Sequence, residues 1–184
     1  MMKIIGIGNS RINAINIINS KGILDSKTVI ICANQSDLER VSADQKLLIE
    51  NLSEISFENN EKTILLVALG GKTGNENILS LTQKINGNKI AIVTTPFPFE
   101  GSKRNELADK TIKELKENVD FIIAINNGEI QQIYDNLSID EVFHKSDEII
   151  YQLVTEVSKV ENDNTSQEVI NAKLLQYKEF IKII

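Results

Sequence analysis

The 184 residues suit one domain built around one sizeable core. The composition, 41% hydrophobic and 25% charged, is that of a soluble globular protein, and a formal net charge of -6 with no basic cluster excludes an electrostatic footprint for nucleic acid. A single cysteine, Cys32, excludes an internal disulfide and fits a reducing compartment; no apolar run approaches the ~20 residues that span a bilayer and the N-terminus has no secretory pattern, so a cytoplasmic location is expected.

Short β-rich runs alternate with longer helical stretches along the chain. Ile4–Ile7, Thr28–Cys32, Thr63–Leu69, Lys89–Thr94 and Phe121–Ile125 are near-continuous runs of Ile, Val and Leu, the pattern of strands buried on both faces. Glu54–Phe57 is a weaker strand candidate. The stretches between are long enough for crossover helices, which predicts an α/β fold: a Rossmann-like, mostly parallel sheet with helices on both faces. The clearest helix runs from Ile139 to about Val160, with Val142, Phe143, Ile149, Ile150, Leu153, Val154 and Val157 along one stripe. Ser138 and Glu141 are spaced as a capping box. A polar run, Glu161–Gln167, breaks the pattern before a last amphipathic segment, Val169–Ile184. Residues 1–160 are therefore expected to form one domain, and 161–184 a linker and terminal helix.

In an open parallel sheet, ligands bind beyond the carboxyl ends of the strands. After the first strand, Gly6 and Gly8 begin a glycine turn, but Arg11 stands where GxGxxG needs its third glycine. The turn fits a phosphate or simply a tight strand–helix connection. After Thr63–Leu69 comes Gly70-Gly71-Lys72-Thr73-Gly74-Asn75. Its glycines let backbone N–H groups approach a ligand, and the helix N-terminus expected after it favours an anion. The Walker spacing fails, because Leu66 stands five residues before Gly71 where that motif requires glycine. After Lys89–Thr94, a loop with two prolines and two aromatics, Pro96-Phe97-Pro98-Phe99, leads to Glu100 and Arg104, one helical turn apart; a helix-start salt bridge on a surface loop accounts for that pair equally well. Asn126 and Asn127 follow the last strand candidate. Phe143 and Asp147, four apart, share a helix face on which a purine could stack and donate hydrogen bonds, although a core Phe beside a solvated Asp is the commoner meaning of such a pair.

Taken in order, these pieces resemble the nucleotide-binding half of the FtsZ/tubulin GTPase family, on the FtsZ side. Asn13-Ala14-Ile15-Asn16 is similar to that family's Asn-Ala-Val-Asn, Gly70–Glu76 to its GGGTGTG signature with three replacements, and Pro96–Arg104 to its PFxFEGxxR. Glu114–Asp120 is similar to the segment leading into the family's next strand, and Asn127 falls at the Asn of its Pro-Asn-Asp turn. The likeness covers about residues 3–160, and the family's second domain is expected to be missing. It implies that Asn13, Asn127, Phe143 and Asp147 hold guanine, and that Glu100 and Arg104 meet the ribose or its neighbouring phosphate. Gly8 and the loop Gly70, Gly71, Lys72, Thr73, Gly74 and Asn75 would face the phosphates of GTP or GDP, with Mg2+ present only if a triphosphate binds. Asn34 lies near the loop after the second strand, within a stretch, 33–37, whose ligand-facing residues the resemblance leaves open.

The departures gather on the phosphate side. The family's glycine run is here Gly8-Asn9-Ser10-Arg11-Ile12, whose side chains take space beside a phosphate, while Arg11 and Lys72 add positive charge. Glu76 is expected near a γ-phosphate, where like charges ~4 Å apart cost about 4 kcal/mol at an effective dielectric near 20. In FtsZ, an acidic loop after the long helix completes the GTPase site of the next subunit. Ile170-Asn171-Ala172-Lys173-Leu174-Leu175-Gln176 aligns with that loop, and its acids become Lys173 and Gln176.

The resemblance thus implies a guanine-nucleotide-binding domain deficient in GTP hydrolysis and related to cell division or cytoskeletal assembly. Its partners would be guanine nucleotide and an FtsZ or a second copy of the chain. Two alternatives stand beside it: a pseudo-GTPase that binds no nucleotide and acts through protein contacts, and a GTPase fragment active only when a partner supplies acids. A dinucleotide oxidoreductase is disfavoured, because Ala33-Asn34-Gln35-Ser36 offers no acid at the end of the second strand. His144 reads as a surface helix residue and Cys32 as a small buried hydrophobe.

Overall fold

A computed structural model describes residues 1–58, 61–160 and 166–184. The strands are β1 (Met2–Ile7), β2 (Ser26–Cys32), β3 (Gln45–Leu48), β4 (Lys62–Ala68), β5 (Lys89–Thr95), β6 (Phe121–Asn126) and β7 (Ile181–Ile183). The helices are α1 (Ile12–Lys21), α2 (Gln35–Glu39), α3 (Lys72–Thr82), α4 (Ser102–Leu115), α5 (Asn127–Ile133), α6 (Ile139–Ser158) and α7 (Gln167–Leu174). The strands form one seven-stranded sheet in the order β3-β2-β1-β4-β5-β6-β7. Every pairing is parallel except that of β6 with β7.

The apolar runs explain the layers. Alternate residues of one strand enter cores on opposite sides, Ile4 with Ile30, Ile64 and Ile92 on one face, Ile5 with Val29, Leu65 and Val93 on the other. The first core is closed by α1, α5, α6 and α7, and the second by α3 and α4. Ser138 and Glu141 form the capping box that starts α6, as expected from their spacing. Val142, Ile149, Ile150, Leu153, Val154 and Val157 of that helix are buried in the first core. Lys62 enters beneath it and donates from Nζ to the carbonyls of Val157 and Val160, at 2.6 and 2.7 Å. Among the described residues, no helix is long and apolar enough to cross a membrane.

Three parts of the chain differ from expectation. Glu54–Phe57 is not a strand: a 3-10 segment, Ile49–Glu54, runs into an irregular stretch whose Ile55 and Phe57 pack on the second core without joining a ladder. The edge strand is instead β3, where Leu47 is buried and Lys46 is exposed. The terminal segment does not remain helical. α7 ends at Leu174, a 3-10 turn follows, and β7 pairs with β6 as Ile123↔Ile183 and Ile125↔Ile181. The alternation of Ile181 and Ile183 around exposed Lys182 suits a sheet edge. The expected linker at 161–165 lies outside the described residues.

Candidate functional site

The strand order places a topological switch between β1 and β4: β2 and β3 are laid to one side of β1, while β5 and β6 extend from β4 on the other. Ligand crevices of open α/β sheets form at such a point. Here a cavity of about 430 Å³ opens, inside the range of about 300–1,000 Å³ usual for small-molecule sites.

The cavity is lined by Gly8, Asn13, Gly71, Lys72, Thr73, Gly74, Glu100, Arg104, Asn127, Phe143 and Asp147, brought together from the β1, β4, β5 and β6 ends and from α6. Gly70 and Asn75 do not line it. They support its floor. Gly70 has φ +86, and a Cβ there would meet Pro96 Cγ at 2.5 Å. Its N–H donates to Asn75 Oδ1 at 2.9 Å, and Asn75 Nδ2 donates to Thr111 Oγ1 at 2.6 Å and to the Leu107 carbonyl at 3.2 Å, so buried Asn75 ties the loop to α4. Gly74 is held by close packing, because a Cβ would stand 2.5 Å from the Ala68 carbonyl oxygen. Gly71, the N-cap of α3, has open space where its side chain would be. Lys72 begins that helix and is exposed. The resulting end of the cavity is backbone, a helix N-terminus and one lysine, a combination that suits an anion.

The other end is made of side chains. Ser146 Oγ donates to Asn127 Oδ1 at 3.1 Å, joining α6 to the first residue of α5, while Asn126 caps α5 by accepting from the N–H groups of Gly128 and Glu129. Asp147 is buried, and that burial pushes its carboxyl pKa up; Arg11, His144 and a hydrogen bond from the Asn13 side chain act in the opposite direction. Phe143 is 45% exposed, with its ring braced edge-on by buried Phe97 at 4.8 Å, and Phe97 stacks on Phe99 at 5.2 Å. An exposed aromatic face beside a buried carboxylate can stack on a planar base and accept hydrogen bonds from its edge. Glu100 accepts from the Phe97 N–H at 2.8 Å and from Arg104, so this pair forms a salt bridge at the start of α4 while also lining the cavity.

Some cavity residues escape the loop-by-loop sequence pattern. Thr94, Thr95 and Ser146 line it too, as do Asn9 and Ser10, whose place beside a phosphate the sequence already suggests. Thr94 and Thr95 end β5, so the strand-end rule reaches them, and Ser146 stands three residues after Phe143 on the same helix. Arg11 lines the cavity but is buried, a placement that charge patterning does not foresee. Glu76 is exposed on α3 and does not line the cavity. Asn34 is the N-cap residue of α2 and does not line the cavity; its Nδ2 donates to Asp37 Oδ2 at 3.4 Å. Lys173 and Gln176 also lie away from it, on α7 and in the following turn. Cys32 is buried, and burial pushes its thiol pKa up to about 11. His144 is exposed.

No protein-family model matches the chain. The chain is similar to cell division protein FtsZ 1 of Thermococcus kodakarensis, 27% identical across 85% of this chain and 49% of that protein. It is also similar to cell division protein FtsZ 1 of Methanocaldococcus jannaschii, 26% identical across 82% of this chain and 49% of that protein. Among solved structures, an empty FtsZ dimer from M. jannaschii matches with TM-score 0.77 and 23% identity, covering 93% of this chain and 59% of that one. GDP-bound monomeric CetZ1 from Haloferax volcanii matches with TM-score 0.69 and 16% identity, covering 94% and 64%. The fold is that of the FtsZ/tubulin N-terminal GTPase domain. The chain is similar to FtsZ over one domain, and it spans about half the length of the curated relatives it matches.

Proposed function

We propose that this chain is a guanine-nucleotide-binding domain of a cytoplasmic, FtsZ-like cell-division or cytoskeletal protein, and that it does not hydrolyse GTP unaided. The observation that carries the proposal is the meeting of Asn13, Asn127, Phe143 and Asp147 with the Gly71–Gly74 turn around one cavity at the sheet's switch point. In this reading Phe143 stacks on the base and Asp147, as carboxylate, accepts from its N–H groups. Gly8, Gly71 and Thr73 with the α3 N-terminus receive the phosphates, Lys72 neutralises them, and Glu100 and Arg104 border the ribose. Mg2+ enters with a triphosphate, whose oxygens carry it.

Activating water needs a free base near the terminal phosphate. The carboxylates lining the cavity are Glu100, engaged with Arg104 and the Phe97 N–H, and Asp147, which accepts from the Asn13 side chain. Neither is free for that task, which supports a site that does not turn GTP over unaided. A partner for self-association is another FtsZ-like chain, including a second copy of this one.

Calorimetric titration with GDP, GTP and ADP tests the proposal. Saturable binding of the guanine nucleotides and none of ADP in the same range is expected. No heat and no competition at millimolar GDP overturns guanine binding, and steady phosphate release from GTP by this chain alone overturns the non-hydrolytic half.

A further inference from the structure

Arg11 follows the glycine turn after β1 and lines the cavity, yet it is only 5% exposed. Its Nε and Nη1 are buried and have no hydrogen-bond partner, while Nη2 is not among the atoms shut off in this way. Among the described residues, no carboxylate stands within ion-pair distance of it. Burial pushes the guanidinium pKa down, and the charge that opposes this is Asp147, which also lines the cavity. Asp147 shows the reciprocal arrangement, with burial opposed first by Arg11. The two charges sense each other without touching. Room for the arginine stem is provided by Gly6, where a Cβ would come within 3.2 Å of Arg11 Cβ.

A buried guanidinium without bonds is costly, so its placement beside a cavity points to an acceptor that arrives with the ligand. Guanidinium only donates and carboxylate only accepts. A neutral group that fills the gap between them must therefore show acceptors to one and donors to the other. Guanine does so: O6 and N7 accept on one edge, and N1–H and the 2-amino group donate on the next. Adenine places an amino donor where guanine has O6, which would face the cation wrongly. A phosphate is the weaker match, because the ionic neighbour of Arg11 is Asp147, whereas Lys72 stands at the α3 N-terminus.

We propose that Arg11 and Asp147 are the separated halves of an ion pair that a guanine base completes, with Arg11 donating to the O6/N7 edge and thereby acting as a specificity-determining residue. The inference rests on the guanine reading of this cavity and adds to it a contact made by a charged side chain in the first glycine turn.

The test is calorimetric titration of the parent, Arg11→Met and Arg11→Lys with GDP and with guanosine. Arg11→Met keeps the buried stem and removes the donors. It is expected to weaken both ligands by roughly tenfold or more, and by the same factor for each. Arg11→Lys keeps the charge without the planar fork and is expected to lie between. Unchanged affinity in Arg11→Met overturns the inference and leaves guanine binding standing. A loss with GDP but not with guanosine overturns it in favour of a phosphate contact. A parent that binds neither ligand overturns the guanine reading and this inference with it. If circular dichroism shows Arg11→Met unfolded, Arg11→Lys decides by the same criteria, an equal loss for both ligands supporting the inference and no loss or a GDP-only loss overturning it.

Discussion

At one end of the cavity the lining is a network of side chains, Asn13, Asn127, Ser146 and Asp147 under the Phe143 ring. At the other it is mostly backbone: the turn at Gly8 and the Gly71–Gly74 turn leading into α3. The two ends therefore tolerate change differently. A side-chain network recognises a ligand through particular polar atoms and fails when one is removed. A backbone cradle depends on space, and here glycines only a few residues apart differ in what that space is for. Gly74 is filled by the neighbouring strand, while Gly71 faces an opening.

The sharpest way to break this contrast is to add a methyl group at each glycine. Gly74→Ala sets a Cβ against the Ala68 carbonyl and the Val67 side chain, and should destabilise the fold by about 3 kcal/mol in urea unfolding. Gly71→Ala meets nothing within 4 Å and should cost under about 1 kcal/mol, yet weaken GDP binding because the methyl group stands in the cavity. Equal stability losses would mean that the two glycines do not have separate tasks.

The helix that carries Phe143 and Asp147 is held at its far end by Lys62, which starts β4 away from the cavity and donates to the carbonyls of Val157 and Val160. Burial pushes the Lys62 pKa from its ordinary 10.5 down to about 8. Between those values the unfolded chain holds a proton that the folded chain has released, so this residue makes stability rise with pH from about 8 to 10.5, by at most about 3 kcal/mol. Below about pH 8 both states are protonated and its contribution is level. The neutral amine keeps two N–H donors for its two carbonyls. Comparing urea midpoints of the parent and Lys62→Met at pH 7.5 and pH 10 should show this rise only in the parent.

Smaller effects sharpen the comparison further. Phe143→Ala removes a half-exposed ring, so GDP affinity should fall by about tenfold while stability falls by no more than about 1.5 kcal/mol. Arg104→Ala breaks an exposed ion pair and should change stability by less than about 1 kcal/mol in the same unfolding assay.

The central strands were legible in the sequence because burial on both faces writes itself as unbroken Ile, Val and Leu. The edges were not. β3 buries Leu47 between half-buried and exposed neighbours, and β7 is three residues long, so neither shows the run that marks a central strand. The cavity-lining loops could be found from the strand-end rule and the helical spacing of Phe143 and Asp147. What stayed hidden was direction. Asn75 and Glu76 follow the Gly70–Gly74 turn, but the one turns into a buried network and the other to solvent, and Arg11 points inward despite its charge. Such choices depend on neighbours from α4 and α6 that sequence order does not bring together.

The most direct test of the account is GDP affinity in the parent and in Asp147→Asn, measured by calorimetry from pH 8 down to pH 5. Asparagine keeps the size of the side chain but presents an N–H2 group where the base needs an acceptor, so an affinity loss of roughly a hundredfold is expected at pH 8. Because burial raises the Asp147 pKa, the parent should lose affinity as pH falls, at a higher pH than an ordinary carboxylate would dictate, and the variant should not share that slope. Equal GDP affinity in the two proteins across the range would contradict the claim that this end of the cavity reads a guanine base.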